Sequence, residues 1–149
     1  MTDSKPPLKL VAMDAEDLAI VSACCQDGVL KVSDLEYLGR DKRFLLSLNR
    51  FVWEDADGKK SKKNFERRRT VLHFERVNRV QLMGVDRSQS DMVLSLLAIT
   101  FSEGEAPGGV IELVFAGDGA IKLEVECIEA QMSDLSAAWE AKSQPTHAD

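Results

Sequence analysis

The segment IKLEVECIEAQMSDLSAAWE, residues 121–140, decides the fold prediction, because its apolar pattern changes partway along. From Ile121 to Val125 apolar and charged residues alternate, which is typical of a half-buried β-strand. After Cys127 the apolar residues lie three or four positions apart, with polar residues between them. They are Ile128, Met132, Leu135 and Trp139. This spacing favours an amphipathic helix, so the segment predicts a last strand that continues into a C-terminal helix at 128–140.

The chain before this segment reads as a series of strands separated by polar turns. Between residues 29 and 125 the alternation predicts seven strands. They cover about 29–38, 43–53, 70–77, 79–85, 92–101, 110–116 and 121–125. The run MVLSLLAITF at 92–101 is almost wholly apolar, which predicts a central strand covered on both faces. The pair Asp118-Gly119 predicts the turn of a hairpin between the last two strands.

The residues before the seven strands predict one further strand and one helix. The apolar run LKLVAM at 8–13 suits a strand, and Asp14 then stands where a helix N-cap is wanted. A helix from about Ala15 to Gln26 is expected to follow, and Asp27-Gly28 supplies its end. Its apolar side carries Leu18, Val21 and Cys25 at helical spacing. This helix is therefore expected to pack on the sheet.

These elements together predict an α+β domain of mostly antiparallel strands. Seven such strands closed by a C-terminal amphipathic helix resemble the pleckstrin-homology-like barrel, in which the helix covers one open end of two packed sheets. The resemblance covers about residues 29–140 and lies in the order of the elements. The N-terminal helix is extra to that pattern, and a generic antiparallel sheet with two helices is the alternative. We expect one domain at 8–140, flanked by a flexible N-terminus at 1–7 and a flexible tail at 141–149.

Composition and charge limit the classes of function. The chain has 149 residues, of which 44% are hydrophobic and 30% charged, and these ordinary values predict one folded domain. The net charge of −6 opposes a general affinity for nucleic acid or an anionic membrane. The sequence also lacks a long apolar run and a secretory signal pattern, so we expect a cytoplasmic protein.

Positive charge is concentrated in one segment of this acidic chain. Residues 59–69 carry a net charge of +6, which leaves −12 for the rest. The positive side chains are Lys59, Lys60, Lys62, Lys63, Arg67, Arg68 and Arg69. They form a candidate anion-binding site for a phosphate-bearing ligand, a nucleic-acid backbone or an acidic protein. The alternative interpretation is a solvated loop whose charges discourage aggregation.

Other residues with chemical potential give weaker signals. Trp53 and Phe51 are candidate interaction residues, because aromatic side chains are enriched at binding hot spots. The cysteines lack metal spacing and His73 lacks a partner motif, so packing roles are expected for Cys24, Cys25, Cys127 and His73. The sequence predicts no catalytic residue, metal ligand or cofactor, and whether the protein is an enzyme stays open, with the balance against it.

Several segments resemble a bacterial family catalogued as domain of unknown function 2948. They are LKLVAMDAEDLAIVSACCQDGVLKVSDLEYL, RFLLSLNRFVWE, RRRTVLHFERV, DMVLSLLAITF and IELVFAGDGAIKLEVECIEAQMSDL. The resemblance implies a small cytosolic protein of the alphaproteobacterial type. It brings no established activity, ligand or catalytic residue.

The sequence alone favours a class of function without naming one. A non-catalytic binding or protein-interaction module is the first hypothesis, and the resembled barrels often accept a peptide as an added strand. Here the 92–101 strand and the 128–140 helix would form the peptide groove. The alternatives are an anion, nucleotide or nucleic-acid site at 59–69, and a small enzyme without a recognisable motif. No partner or oligomeric state is indicated.

Overall fold

A computed structural model describes residues 7–52 and 67–135 of the chain. Within these ranges the chain forms ten strands and one α-helix, α1, which spans Ala15–Cys25. The strands are β1 (Lys9–Ala12), β2 (Val29–Lys31), β3 (Leu35–Leu38), β4 (Arg43–Phe51), β5 (Arg67–Phe74), β6 (Val77–Met83), β7 (Val93–Glu103), β8 (Gly109–Phe115), β9 (Ala120–Val125) and β10 (Ala130–Asp134).

The helix α1 forms as its sequence predicts. Asp14 is the N-cap, and its Oδ1 accepts the backbone N–H of Asp17 at 2.8 Å, which satisfies one of the free donors of the first turn. Leu18, Val21 and Cys25 are buried, so the apolar side faces the sheet. The helix lies along β7, where the hydroxyl of Ser22 accepts the backbone N–H of Ile99 at 2.9 Å.

The strands form one antiparallel sheet in the order β1-β10-β5-β4-β2-β7-β8-β9-β6, and β3 also pairs with β4, further along the edge to which β2 binds. The three-residue β2 joins β4 to β7, so it links two larger halves. Inward side chains from both halves and from α1 form one hydrophobic core. Phe44 and Phe74 lie at its centre, with ring centroids 6.5 Å apart.

The predicted hairpin between the last two strands of the series is confirmed. β8 pairs with β9, and Phe115 donates its backbone N–H to the carbonyl of Gly119 at 2.9 Å. Gly117 and Asp118 have φ angles of +80° and +71°, in the left-handed region that glycine and aspartate tolerate in turns.

The predicted helix at 128–140 is wrong over its described part. Residues Ala130–Asp134 form β10, which lies between β1 and β5 in the sheet. Residues four positions apart lie on the same face of a strand, where the period is two, and also on the same face of a helix, where it is about 3.6. The spacing of Ile128 and Met132 therefore fits both structures. Leu135 is 44% exposed, whereas Asp134, a polar residue, faces inward. Trp139 lies outside the described residues.

The pleckstrin-homology-like barrel is also not formed. Among the described strands the sheet has two ends, β1 and β6, and it does not close on itself. Because β10 is a strand within the sheet, residues 130–134 cannot cover an open end as a helix. What holds is the broader class, a mostly antiparallel sheet with one α-helix in the part described.

Two predicted strands differ in detail. The strand at 29–38 is divided into β2 and β3 by a 3₁₀ turn at Val32–Asp34, where Asp34 Oδ2 accepts the backbone N–H of Lys31 at 2.9 Å. The strand at 92–101 is central, as β7 between β2 and β8, but it is not covered on both faces. Val93 is 60% exposed and Leu97 43%, and a bulge displaces the register next to Leu97.

Candidate functional site

The predicted basic segment is only partly described. Lys59, Lys60, Lys62, Lys63 and Trp53 lie outside the described residues. The three arginines that follow begin β5, where successive side chains point to opposite faces of the sheet. Arg68 is buried, whereas Arg67 and Arg69 lie on the other face. The three arginine side chains therefore do not form one patch, because they lie on opposite faces of β5.

The two outward arginines have partners on β4 and in the 3₁₀ turn at Val32–Asp34. The guanidinium carbon of Arg67 is 5.1 Å from the ring centroid of Phe51, which is cation–π distance. Arg69 donates to Asp34 Oδ1 at 3.1 Å and to Asn49 Oδ1 at 3.4 Å. Arg67 and Phe51 thus form one amphipathic pair beside segment 53–66.

Arg69 also lines an open cleft of about 310 Å³ near β2. Lys31 and Asn49 contribute polar groups to it, and Val29, Leu30 and Val93 contribute apolar surface. Asp34 lines the same cleft, so one of the two positive charges already faces a carboxylate. The cleft has the donor groups of a weak anion site.

The inner faces of β4, β5 and β10 end in a buried polar group, here named the Asp134 cluster: Arg50, Arg68, Thr70 and Asp134. Arg50 and Arg68 are 1% and 2% exposed and lie directly opposite each other in the β4–β5 register. The Asp134 carboxylate accepts two N–H groups of Arg50, at 2.9 and 2.8 Å. It lies 3.6 Å from Arg68 Nη1 and accepts the Thr70 hydroxyl at 2.7 Å.

Asp134 also connects this cluster to the start of the described chain. Leu8 donates its backbone N–H to Asp134 Oδ2, and Asp134 donates its own to the carbonyl of Leu8, each at 2.9 Å. Burial acts to raise the pKa of Asp134, but hydrogen bonds from Arg50, Thr70 and Leu8 outweigh it and hold that pKa below its ordinary value. The carboxylate is therefore ionised at neutral pH.

Sequence reasoning missed the Asp134 cluster, although the pattern contains a signal for it. Arg50 continues the inward series Phe44, Leu46 and Leu48 at every second residue of β4. Arg68 and Asp134 continue the inward series of β5 and β10 in the same way. A charged residue in phase with core residues on three neighbouring strands indicates a buried ionic cluster.

A second cleft lies between β3 and β6 and is here named the β3–β6 cleft. Its volume is about 160 Å³. The lining is mostly apolar and consists of Leu35, Tyr37, Phe44, Val80 and Leu82, with Glu36 and Arg87 as its charged members. Among the described strands β3 pairs only with β4, and β6 only with β9. The two strands that border the cleft are therefore not paired with each other.

Contacts at both ends of β3 delimit this cleft. At one end Val77 donates its backbone N–H to the carbonyl of Lys42 at 2.8 Å, and the Tyr37 hydroxyl donates to the carbonyl of Val77 at 2.9 Å. At the other end the backbone N–H of Ser33 donates to the carbonyl of Ser90 at 3.0 Å. Between these contacts the outer edge of β6 borders the cleft.

Two apolar side chains of β6, Val80 and Leu82, are less buried than those that face them on β9. Val80 pairs with Leu123 and Leu82 with Ile121 across the β6–β9 ladder, so each pair lies on one face of the sheet. Leu123 and Ile121 are fully buried, whereas Val80 and Leu82 are only half-buried. The apolar surface of the core therefore reaches solvent at the β3–β6 cleft.

The groove predicted between the 92–101 strand and the 128–140 helix is not formed. β7 is hydrogen-bonded on both edges, to β2 and to β8, and residues 130–134 are a strand beside β5. A peptide therefore has no free edge there along the paired part of β7.

Of the residues predicted to have packing roles, Cys24 and Cys25 contact the core. Cys25 is buried, with its Sγ 3.6 Å from Met132 Sδ, and Cys24 packs against the core. His73 occupies an alternating position in β5, 3.8 Å from Glu75. Over residues 7–52 and 67–135, no group of three or more His, Cys, Asp or Glu side chains is placed to hold a metal ion. In those same ranges no helix has the length and apolarity to span a membrane.

Fold and clefts together define a class: an open antiparallel β-domain with a buried ionic cluster on one side and an apolar edge cleft on the other. Residues 8–147 match the family described as protein of unknown function (DUF2948). The chain belongs to that family. Comparison of this chain with the curated proteins and with the solved structures found no match.

Proposed function

We propose that the protein is a non-catalytic interaction module that binds an extended segment of a partner protein along the outer edge of β6, over the β3–β6 cleft. Such a segment would add a strand to the sheet, so that backbone hydrogen bonds give affinity and alternate side chains give specificity. The observation that carries the proposal is that no described strand pairs with the outer edge of β6, which lies beside a mostly apolar cleft. The resemblance of the sequence adds the bacterial cytoplasm as the proposed setting.

The edge of β6 has only one of the usual protections of an edge strand, a bulge between Val77 and Arg79. Natural sheets shield long edges with lysine, proline, bulges or a covering segment. β6 is seven residues long and contains neither lysine nor proline, and its one charged residue, Arg79, lies 3.6 Å from Glu124 of β9. The other end strand, β1, is only four residues long. An open edge of this length favours strand addition over a purely structural role.

The surroundings of β6 favour one extended segment over a second copy of the chain. β3 touches the outer side of β6 at Val77, through the Tyr37 hydroxyl. A whole sheet placed alongside β6 would have to displace β3, whereas a single strand fits beside Val80 and Leu82. Inward side chains of that strand would cover the exposed parts of Val80 and Leu82, which adds the free energy of apolar burial.

The test is selection of peptides of about eight residues from a random display library, followed by NMR of the isotope-labelled protein with the synthesised winners. We expect backbone amide shifts and slowed hydrogen exchange at residues 78–83 and 35–38. The substitution Val80→Asp is expected to weaken binding by about tenfold or more, because it places a charge in the apolar cleft. The matched control is Val93→Asp, which changes an exposed valine of β7.

Three results would contradict the proposal. The first is that selected peptides shift amides elsewhere, and the second is that Val93→Asp weakens binding as much as Val80→Asp. The third is a concentration-dependent dimer in sedimentation that Val80→Asp converts to monomer, because a second copy would then occupy the edge.

A second candidate function is anion binding, either at the Lys31 and Arg69 cleft or by the lysines of segment 59–63. It is favoured by the polar donors Lys31, Asn49 and Arg69 around one opening. With inorganic pyrophosphate as the probe, calorimetry should give an affinity that falls steeply with salt and is weakened by Lys31→Ala, but not by the control Lys9→Ala. Salt-insensitive binding, or none, would reject this candidate.

A further inference from the structure

We infer that the segment bound at the β3–β6 cleft carries an acidic side chain that pairs with Arg87. This inference rests on the proposed function and names the chemistry of its partner. Arg87 is exposed, lines the cleft and forms no ion pair with another described residue. Arg43, Arg69, Arg76 and Arg79 each have a carboxylate within ion-pair distance. Arg87 thus offers a guanidinium to a ligand at a site that is otherwise mostly apolar.

The carboxylate next to Arg87 in sequence is engaged elsewhere. Asp86 Oδ1 accepts the backbone N–H of Ser88 at 2.9 Å and its hydroxyl at 2.7 Å. These bonds hold the pKa of Asp86 below its ordinary value, so the carboxylate stays bound to Ser88 as an anion. Glu36 lines the same cleft, and no ion pair joins it to Arg87 within the described part of the chain. The guanidinium is therefore not neutralised from within the cleft.

A guanidinium beside apolar surface selects for a carboxylate in two ways. Its planar donors match both oxygens of a carboxylate, and the partly dehydrated apolar lining strengthens the pairing. In an extended segment, one apolar side chain would enter between Val80, Leu82 and Phe44, while an Asp or Glu side chain nearby reaches Arg87. A basic side chain at that position would be repelled.

The experiment compares peptides selected on the unmodified protein with those selected on Arg87→Glu. All peptides are acetylated and amidated when synthesised, so that none carries a terminal carboxylate. We expect the first set to share an Asp or Glu at one position, and Arg87→Ala to weaken their binding by about tenfold. Arg87→Glu is expected to select Lys or Arg at that position. The control Arg40→Glu changes an exposed arginine that does not line the cleft, and it should leave both affinity and selection unchanged.

The possible failures separate the inference from the function on which it rests. If the peptides shift the β6 amides but Arg87→Glu does not change their acidic content, the inference is overturned and the interaction module stands. If the capped peptides do not bind and the same sequences bind when resynthesised with a free C-terminal carboxylate, the acidic side chain is likewise rejected. If no selected peptide shifts the β6 amides, the proposed function fails and the inference fails with it.

Discussion

The Asp134 cluster and the β3–β6 cleft lie at two edges of the same core. Charged residues are usually exposed and apolar residues usually buried, and these two regions show the reverse. The cluster is built from charged side chains, yet it is closed to solvent, with Arg50 and Arg68 almost wholly buried. The cleft is built mainly from apolar side chains, yet Val80 and Leu82 remain half-exposed. Charge here anchors strands to one another, whereas apolar surface is left partly open to solvent.

This difference follows from which strand edges are paired. The cluster lies where β4, β5 and β10 are hydrogen-bonded side by side, so each of its polar groups meets a neighbour. The cleft lies where β3 and β6 each lack a partner on one side among the strands of residues 7–52 and 67–135. Burying a charge without a partner costs much free energy, whereas an apolar side chain at an unpaired edge can stay partly exposed. The following predictions test this contrast.

The largest effect is expected from Asp134→Ala. It removes the carboxylate that binds Arg50 and the Leu8 backbone. Removing one partner of a buried ion pair leaves the other charge unpaired and lowers the free energy of unfolding by about 3–5 kcal/mol. Urea unfolding followed by circular dichroism measures this loss. Ser133→Ala, one residue away on the outward face, is the control and should change the free energy of unfolding little. Equal effects of the two substitutions would mean that the cluster does not anchor the sheet.

The next effect compares two facing residues of the β6–β9 ladder. Ile121→Ala should lower the free energy of unfolding by about 2–5 kcal/mol, because Ile121 is fully buried. Leu82→Ala should cost less than half as much, because Leu82 borders the open cleft. The same urea titration compares them. Equal losses would show that the cleft is packed as tightly as the core.

Acid should weaken the Asp134 cluster. The pKa of Asp134 is lower in the folded state than its ordinary value of about 3.9, so its ionised form stabilises the fold above that value. The contribution is lost as pH falls through the folded pKa. The difference in free energy of unfolding between the unmodified protein and Asp134→Ala should therefore shrink between about pH 5 and pH 2. A difference that stays constant over this range would rule out the ionised carboxylate as its source.

The smallest effect is expected from Glu126→Gln at the surface. Glu126 lies 2.7 Å from Lys42, which lowers the pKa of its carboxyl, but both side chains are well exposed. Exposed ion pairs contribute little and are screened by salt. Thermal unfolding should show a slight decrease at low salt that vanishes at high salt. A loss that persists at high salt would place this pair among the structural anchors.

The parts of the fold that the sequence predicted are those set by local periodicity. Alternation located most strands, and Asp14 with its apolar series located α1. β10 was missed because Met132 fits either spacing. The sequence pattern also suggests that a polar residue such as Asp134 faces solvent, and only its pairing with Arg50 explains why it faces inward. Which strand lies beside which is decided by contacts between residues far apart in the chain, and no single segment carries that information.

The candidate sites were less predictable for the same reason. The basic segment was visible as a run of charge, but the inward and outward roles of Arg67, Arg68 and Arg69 required the β5 register. The β3–β6 cleft joins residues 35–44 to residues 80–87, and neither stretch contains a binding motif. Its binding potential lies in the missing pairing between two strands.

The pairing of Leu8 with Asp134 has a consequence for how the molecule is made. These residues are 126 positions apart, and β1 and β5 are brought into one sheet only when β10 lies between them. During synthesis, almost all of the described chain must therefore leave the ribosome before the inward arginines of β4 and β5 can meet Asp134. Contacts of such long range slow folding, so the nascent chain should depend on late, cooperative closure of this sheet.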